Sequence, residues 1–132
     1  MPPNKPNVEV VPLRGGTTVT NIVGSSVSKA KKGSHKRFYT DNTGYWPATC
    51  CAEGCNGPAQ DGGHVKVWRE GVFTWYLVPV CHGVHNTPKS TTTFTVKHGT
   101  VAVEDPVSFK NRVESWAHDY RYLMDRAKQI FH

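Results

Sequence analysis

Long apolar runs are missing from this sequence. No stretch approaches the roughly 18 to 20 consecutive apolar residues of a membrane-spanning helix, and the opening residues MPPNKP are not followed by the apolar core of a signal peptide. We therefore expect a soluble intracellular (cytoplasmic) protein. In that compartment cysteine thiols stay reduced and can bind metal instead of pairing in disulfides.

Several catalytic signatures are missing as well. The sequence has no glycine-rich phosphate loop, no nucleophile elbow and no paired-carboxylate site. Acidic residues are few, since 10 Asp and Glu stand against 16 Lys and Arg, which gives a net charge of +6. This excess of cations favours an anionic partner, and we expect nucleic acid.

The composition that remains is that of one small domain with an arm. A chain of 132 residues with 37% hydrophobic residues can bury one modest core. Residues 1–37 are rich in Pro, Gly, Ser, Thr and Lys, so we predict a basic, partly disordered N-terminal arm with brief strands at most, at 8–13 and 19–23. Residues 38–132 are predicted to form a single zinc-binding α+β domain.

The arm ends in a dense basic run, KAKKGSHKR, at residues 29–37. Five positive charges in nine residues repel one another unless phosphates or counterions lie nearby. Aromatic residues such as Tyr45 and Trp46 follow, and cations beside rings suit single-stranded or distorted nucleic acid. The alternative is a solvated loop whose aromatic neighbours belong to the core. The candidate nucleic-acid-binding residues are Lys29, Lys31, Lys32, Lys36 and Arg37.

Two β-hairpins are predicted. In the first, β-branched and aromatic residues fill 65–80, and Glu70-Gly71 forms the turn. This register places His64 on one face with three aromatic rings. The opposed pairs are Trp68 with Phe73, Lys66 with Trp75 and His64 with Leu77. The second hairpin is predicted around His98-Gly99, between 91–97 and 100–103.

A long C-terminal helix is predicted over 106–130. Asp105 is a favourable N-cap and Pro106 suits the first helical position. Apolar residues then recur at alternating steps of four and three: Phe109, Val113, Trp116, Tyr120, Leu123, Ala127 and Ile130. We expect this apolar stripe to pack on its own domain. The alternative is a structural or assembly protein in which the stripe contacts a partner protein or forms a homodimer.

All four cysteines lie between residues 50 and 81, and they suggest a metal site. Two pairs of soft ligands at x3 spacing are separated by 25 residues, which is enough for a hairpin between them and is the order of a treble clef. The predicted ligands of a structural Zn²⁺ are Cys51, Cys55, Cys81 and His85. Cys50 could replace Cys51, and His82 could replace His85. The cysteines could also be small buried residues that bind no metal.

Three motifs are shared with a known family: the pair Cys51-x3-Cys55, the tripeptide Gly63-His64-Val65, and LVPVCHGVHN at 77–86. Over about residues 50–89 the chain resembles the zinc-containing branch of the HNH (His-Me finger) endonucleases. The resemblance implies that His64 is the general base, that His85 helps to hold a catalytic Mg²⁺ or Mn²⁺, and that Asn86 orients the base. Residues 75–86 also look like small uncharacterised bacterial proteins of similar layout.

Two positions depart from the pattern of that family. Gly63 stands where a metal-binding Asp usually precedes the histidine, and Val84 stands where a second cysteine is usual. Because Val84 cannot bind metal, His85 is needed for the structural zinc and cannot also hold a catalytic ion. We therefore predict a zinc-stabilised HNH-like module that binds nucleic acid without catalysis. The enzyme alternative is a metal-dependent HNH-like endonuclease with His64 as base; His64 could also be a packed strand residue or a further zinc ligand.

Overall fold

The architecture is α+β, as predicted, with one antiparallel sheet and two helices. The computed structural model describes residues 4–22, 34–82 and 93–130. In chain order the elements are β1 (Val10–Pro12), β2 (Thr18–Asn21), α1 (Ser34–Thr43), β3 (Asp61–Arg69), β4 (Val72–Val80), β5 (Thr93–Thr95), β6 (Val101–Glu104) and α2 (Pro106–Ile130). The six strands lie in the order β1-β6-β4-β3-β2-β5.

The centre of the sheet is the hairpin of β3 and β4. The two strands pair from Asp61 with Val80 to Arg69 with Val72, and the three opposed pairs predicted from the sequence are all confirmed. Glu70 and Gly71 form the turn with φ angles of 49° and 84°. Two consecutive left-handed residues match the right-handed twist of the flanking strands, which is why this short connection reverses the chain cleanly.

The prediction of a second hairpin is wrong, because β5 and β6 do not pair with each other. Val10 of β1 pairs with Val103 of β6, and Thr18 of β2 pairs with Thr95 of β5. From the first pair to the second, the N-terminal segment advances by as many residues as the segment opposite it goes back. The two ladders therefore share one register. Between them the chain turns at 14–17 and at 97–100, where the amide of Thr100 donates to the carbonyl of Lys97. The turn at His98-Gly99 thus interrupts a strand instead of reversing it.

The N-terminal region belongs to this sheet. β1 and β2 both pair with later strands, and α1 already begins at Ser34. The predicted boundary between arm and domain, at 37 and 38, therefore falls inside a helix. Lys36 and Arg37 lie on α1, whereas Lys29, Lys31 and Lys32 lie outside the described residues.

Each face of the sheet has its own apolar cluster. One face carries the larger core, which includes Val19, Val65, Val67, Tyr76 and Val78. On the other face α1 covers Leu77 and Val103 with Tyr39, whose hydroxyl donates to the carbonyl of Val101 at 2.7 Å. A Cβ at Gly62 would lie 2.9 Å from the backbone of His35, so glycine allows α1 to approach β3 this closely.

Helix α2 begins and ends as predicted, and Asp105 caps it. Oδ1 of Asp105 accepts hydrogen bonds from the amides of Val107 at 2.7 Å and Ser108 at 3.3 Å. The expectation that the apolar stripe packs on its own domain holds at most for its first half, because Phe109, Val113 and Trp116 are half-buried whereas Tyr120 and Leu123 are exposed. Neither of the described helices contains an apolar stretch of the length that a membrane crossing requires.

Candidate metal centre

A narrow loop before β3 presents the first thiols. Thr49 and Pro58 form an isolated β-bridge, and the amide of Cys50 donates to the carbonyl of Gly57 at 2.9 Å. Inside this loop the amide of Cys55 donates to the carbonyl of Ala52 at 3.1 Å. The loop closes on itself like a knuckle, and it carries Cys50 and Cys55 to the point where β4 ends and Cys81 follows.

Three thiols meet at this point. The sulfur atoms of Cys50, Cys55 and Cys81 all lie within 4.8 Å of one another, and Cys55 and Cys81 are 4.0 Å apart. Thiolates bound to a tetrahedral Zn²⁺ at about 2.3 Å are about 3.8 Å from one another. None of the four cysteines forms a disulfide. The triad could therefore hold a metal ion.

The structure differs from the predicted ligand set at one position, because Cys50 and not Cys51 joins the triad. The backbone of Cys51 is paired on both sides: its amide donates to the carbonyl of Pro79 at 2.9 Å, and its carbonyl accepts from the amide of Lys97 at 2.8 Å. In extended backbone, neighbouring side chains point in opposite directions. Only one of two adjacent cysteines can therefore face Cys55 and Cys81, and that one is Cys50, although both lie in the same buried cluster.

Lys97 supports the knuckle and was not found by sequence reasoning. Its Nζ donates to the carbonyl of Cys50 at 2.8 Å and also to the carbonyl of Cys55. Its positive charge opposes the rise that burial causes in the pKa of Cys51, and it adds to the lowering of the pKa of Cys55 that begins with the backbone of Gly57. The sequence analysis did not connect this residue with the cysteines, because Lys97 reaches the site through the turn at 97–100, which was assigned to a hairpin.

The thiols differ in how readily they ionise. Burial raises the pKa of Cys50 to about 11 and that of Cys51 to about 12. The pKa of Cys55 is instead lowered, first by the backbone N–H of Gly57. Cys55 is thus the thiol that is best prepared to become a thiolate, whereas Cys50 needs an opposing charge such as a metal ion to do so.

No fourth candidate metal ligand joins the three cysteines among the described residues. His82 points elsewhere, since its Nδ1 lies 2.7 Å from Oδ2 of Asp61. His64 also lies outside the group, and no other histidine of the described residues joins it. His85 and Asn86 fall outside the described residues. The prediction that His85 is a ligand therefore stays a prediction, as does the role of Asn86.

His64 lies in a second cluster of ionisable groups. Its Nδ1 is 2.5 Å from Oδ2 of Asp105, the residue that caps α2, and the ring of His35 meets the His64 ring edge-on with 4.3 Å between centroids. His64 is 6% exposed and Asp105 is fully buried. Burial opposes ionisation of Asp105, but the contact with His64 and the hydrogen bonds from the helix amides lower its pKa overall.

This second cluster has chemical consequences for both histidines. The carboxylate of Asp105 lies at ion-pair distance from Nδ1 of His64, but the two atoms do not have the geometry of a hydrogen bond. Nε2 is buried and makes no hydrogen bond within the described part of the chain. Burial and the neighbouring His64 lower the pKa of His35 to about 4, although Asp105 opposes that shift. Sequence reasoning identified His64, but it assigned Asp105 only to capping and gave His35 no chemistry.

Of the basic residues predicted to bind nucleic acid, the structure describes Lys36 and Arg37, which lie on α1. Nζ of Lys36 is 5.1 Å from the centroid of the Trp46 ring, and Arg37 is exposed on the same helix. Trp46 in turn packs edge-on against Tyr39 and donates its indole N–H to the carbonyl of Ala59. One of the predicted basic residues, Lys36, therefore lies over an aromatic ring, and that ring also belongs to the packing around α1.

Comparisons with known proteins do not assign a family or a function to this chain. No protein-family model matches the sequence, and neither curated proteins nor solved structures gave a significant match.

Proposed function

We propose that this protein is a zinc-stabilised, treble-clef-like and HNH-like module that binds nucleic acid and is not a nuclease. The observation that carries the proposal is the convergence of Cys50, Cys55 and Cys81 from two separate segments. Zn²⁺ prefers a closed tetrahedron of thiolates and imidazoles in structural sites. Cys51 was predicted in place of Cys50, and His85 remains the proposed fourth ligand.

Zinc would stabilise this fold by joining the knuckle to the end of β4. Metal bound only by the folded chain adds its binding free energy to folding. Elemental analysis of the purified protein should give about one zinc per chain. Cys81→Ser should lose most of it, because three remaining ligands hold the ion less tightly. A metal-free wild type would contradict this part of the proposal.

Nucleic-acid binding is supported by the charge and by the surface of α1. The chain carries a net charge of +6; Lys36 lies beside Trp46, and Arg37 is exposed on the same helix, α1. Cations at phosphates release counterions, so the logarithm of the affinity falls with the logarithm of the salt concentration. We propose that Lys29, Lys31 and Lys32 add to the same surface.

The test is the salt dependence of DNA binding. Lys36→Glu together with Arg37→Glu should weaken binding and reduce the slope by roughly 0.7 to 0.9 for each phosphate contact that is lost. The matched control is Arg121→Glu with Lys128→Glu on the exposed part of α2, which makes the same charge change elsewhere. An equal slope in the wild type and the α1 variant would contradict nucleic-acid binding through this surface.

A second candidate, a metal-dependent endonuclease with His64 as general base, is supported by one observation. Asp105 holds Nδ1 of His64 at 2.5 Å, an arrangement that orients a histidine base. Nicking of plasmid DNA in Mg²⁺ or Mn²⁺ that is lost in His64→Gln would establish this activity. Intact plasmid under both metals, with zinc-loaded protein, would rule it out.

A further inference from the structure

The outer half of the central hairpin exposes an unusual group of side chains. Trp68 and Phe73, which pair across the strands, are 59% and 57% exposed, and Trp75 is 38% exposed. Trp68 and Phe73 meet edge-on with ring centroids 4.9 Å apart, and Nζ of Lys66 lies 5.2 Å from the centroid of Phe73. We call Lys66, Trp68, Phe73 and Trp75 the aromatic platform.

Threonine hydroxyl groups of β2 and β5 extend this surface. Thr20 of β2 pairs with Lys66 and also with Thr93 of β5, and the two threonine hydroxyls are 3.2 Å apart. By strand alternation Thr18 and Thr95 lie on the same face. Among the described strand positions on this half of the face none is acidic, so the platform offers rings, hydroxyls and one ammonium group.

The two acidic residues that line the neighbouring cleft are each paired with an arginine. A cleft of about 660 Å³ separates Phe73 and Trp75 from the first turns of α2, and Glu9 and Glu104 are among the residues that line it. Glu9 pairs with Arg69 at 3.0 Å, and Glu104 pairs with Arg112 at 2.7 Å. The carboxylates of this cleft therefore carry little unpaired negative charge beside the platform, and the unpaired acidic residue nearest in sequence is Glu70 in the hairpin turn.

The platform also adjoins the basic helix. His64 and Leu77, the next pair on the same face, are covered by His35 and Tyr39 of α1. α1 thus covers one half of the face and leaves the platform open on the other half. A ligand lying along the open half meets the helix that carries Lys36 and Arg37.

We propose that the aromatic platform binds single-stranded nucleic acid by stacking bases on Trp68, Phe73 and Trp75, with Lys66 contacting a phosphate. The proposal rests on the nucleic-acid binding proposed above and specifies its form. Unstacked bases can lie on aromatic rings whatever their sequence, whereas the bases of a duplex are already stacked on each other. We therefore expect a preference for single strands with little dependence on sequence.

The test uses the zinc-loaded full chain and a fluorescein-labelled oligothymidylate of about twenty nucleotides, compared with a duplex of equal length. Trp68→Ala and Trp75→Ala should each weaken binding to the single strand by roughly five- to a hundredfold, and they should change duplex binding little. Tyr122→Ala, an equally exposed ring on α2, is the matched control and should have no effect.

Three further measurements support the test, and the first two control for misfolding. Trp68→Phe keeps a stacking ring and should restore most of the affinity, and zinc content should be unchanged in every variant. Quenching of tryptophan fluorescence by the oligothymidylate should fall in Trp75→Ala, because stacking brings the base against that ring.

The outcomes separate this proposal from the one on which it rests. If the Lys36 and Arg37 variant loses affinity while Trp68→Ala and Trp75→Ala bind as the wild type, the platform proposal is overturned and nucleic-acid binding stands. If the wild type binds neither probe, both are overturned. If Trp75→Ala instead abolishes self-association of the protein without nucleic acid and leaves the affinity unchanged, the platform is a protein interface.

Discussion

At the scale of single residues, the adjacent pair Cys50 and Cys51 shows how the backbone decides which thiol can bind metal. Cys50 lies in the triad, while the amide and the carbonyl of Cys51 are hydrogen-bonded to the backbone of Pro79 and Lys97. Cys50→Ser should therefore lower the zinc content well below one per chain. Cys51→Ser, which changes the same atom one position along, should retain the metal. Elemental analysis of both variants checks this, and loss of zinc only from Cys51→Ser would restore the ligand set predicted from the sequence.

His35 should make the protein less stable as the pH falls. Its pKa is about 4 in the folded chain, against an ordinary value of 6.5, because burial and His64 disfavour its charged form. Between these pH values the unfolded chain binds the proton and the folded chain does not, so the free energy of unfolding falls as the pH drops from about 6.5 to 4. Allowing for solvent screening, the loss from this group is on the order of 1 kcal/mol.

Urea unfolding at pH 7 and pH 5 checks this prediction against His35→Gln, which cannot take up the proton. Release of zinc at the lower pH affects both proteins, so the difference between them reports on His35. The variant should lose less stability over this interval than the wild type. Equal losses would show that His35 keeps its ordinary pKa in the folded chain.

How far the site could be predicted depends on whether its residues are close in sequence. The spacing of Cys55 and Cys81 around a hairpin indicated a metal site, because turn geometry is local. The choice between Cys50 and Cys51 depends on which strands flank the knuckle, and that is set by distant segments. Lys97 and the contact between His64 and Asp105 were missed for the same reason, since only the folded sheet brings them together.

At the scale of elements, one ion pair attaches α2 to the sheet. Glu104 is almost fully buried, and Arg112 donates to it from both Nε and an Nη atom at 2.7 Å. Arg112→Met would leave a buried carboxylate without its charged partner, so we expect a loss of about 2 to 4 kcal/mol in the free energy of unfolding. Urea unfolding measures it.

The matched control for Arg112 is Arg121→Met. Arg121 is exposed on the same helix and donates to the carbonyl of Ala117. Its loss should change the free energy of unfolding by no more than about 0.5 kcal/mol. Similar effects of the two variants would mean that the pair between Glu104 and Arg112 does not attach the helix.

The elements that were predicted correctly are those specified by neighbouring residues. The register of β3 and β4 follows from a two-residue turn and alternating side chains, and the bounds of α2 follow from Asp105, Pro106 and the apolar period. The hairpin around His98-Gly99 was predicted from the same kind of signal and was wrong. β5 pairs with β2, and β6 pairs with β1. No local pattern in the sequence could reveal these distant partners.

At the scale of the whole molecule, the apolar stripe of α2 is exposed at Tyr120 and Leu123, beyond its half-buried first turns. An isolated helix of this length is only marginally stable in water. We therefore expect self-association through the stripe at micromolar concentrations, to be measured by sedimentation equilibrium. Leu123→Asp should shift the equilibrium to monomer.

The control for Leu123→Asp is Lys128→Asp, a charge change at a helix position outside the stripe. It should leave the association unchanged. A wild type that stays monomeric at every concentration would contradict association through the stripe. Because no described side chain of α2 is buried, neither substitution should reduce the zinc content or the stability of the sheet.

The shared register of the two outer ladders also has a consequence for the order in which the chain folds during synthesis. The knuckle, the central hairpin and all three triad thiols lie within residues 50–81, so they can assemble and bind metal before the last third of the chain has left the ribosome. β1 and β2 leave first, but their partners β6 and β5 leave after the hairpin is complete. β2 can pair with β3 as soon as the hairpin forms, but its other edge and the whole of β1 must wait for β5 and β6. Closing these long loops is the step that we expect to limit the rate of folding.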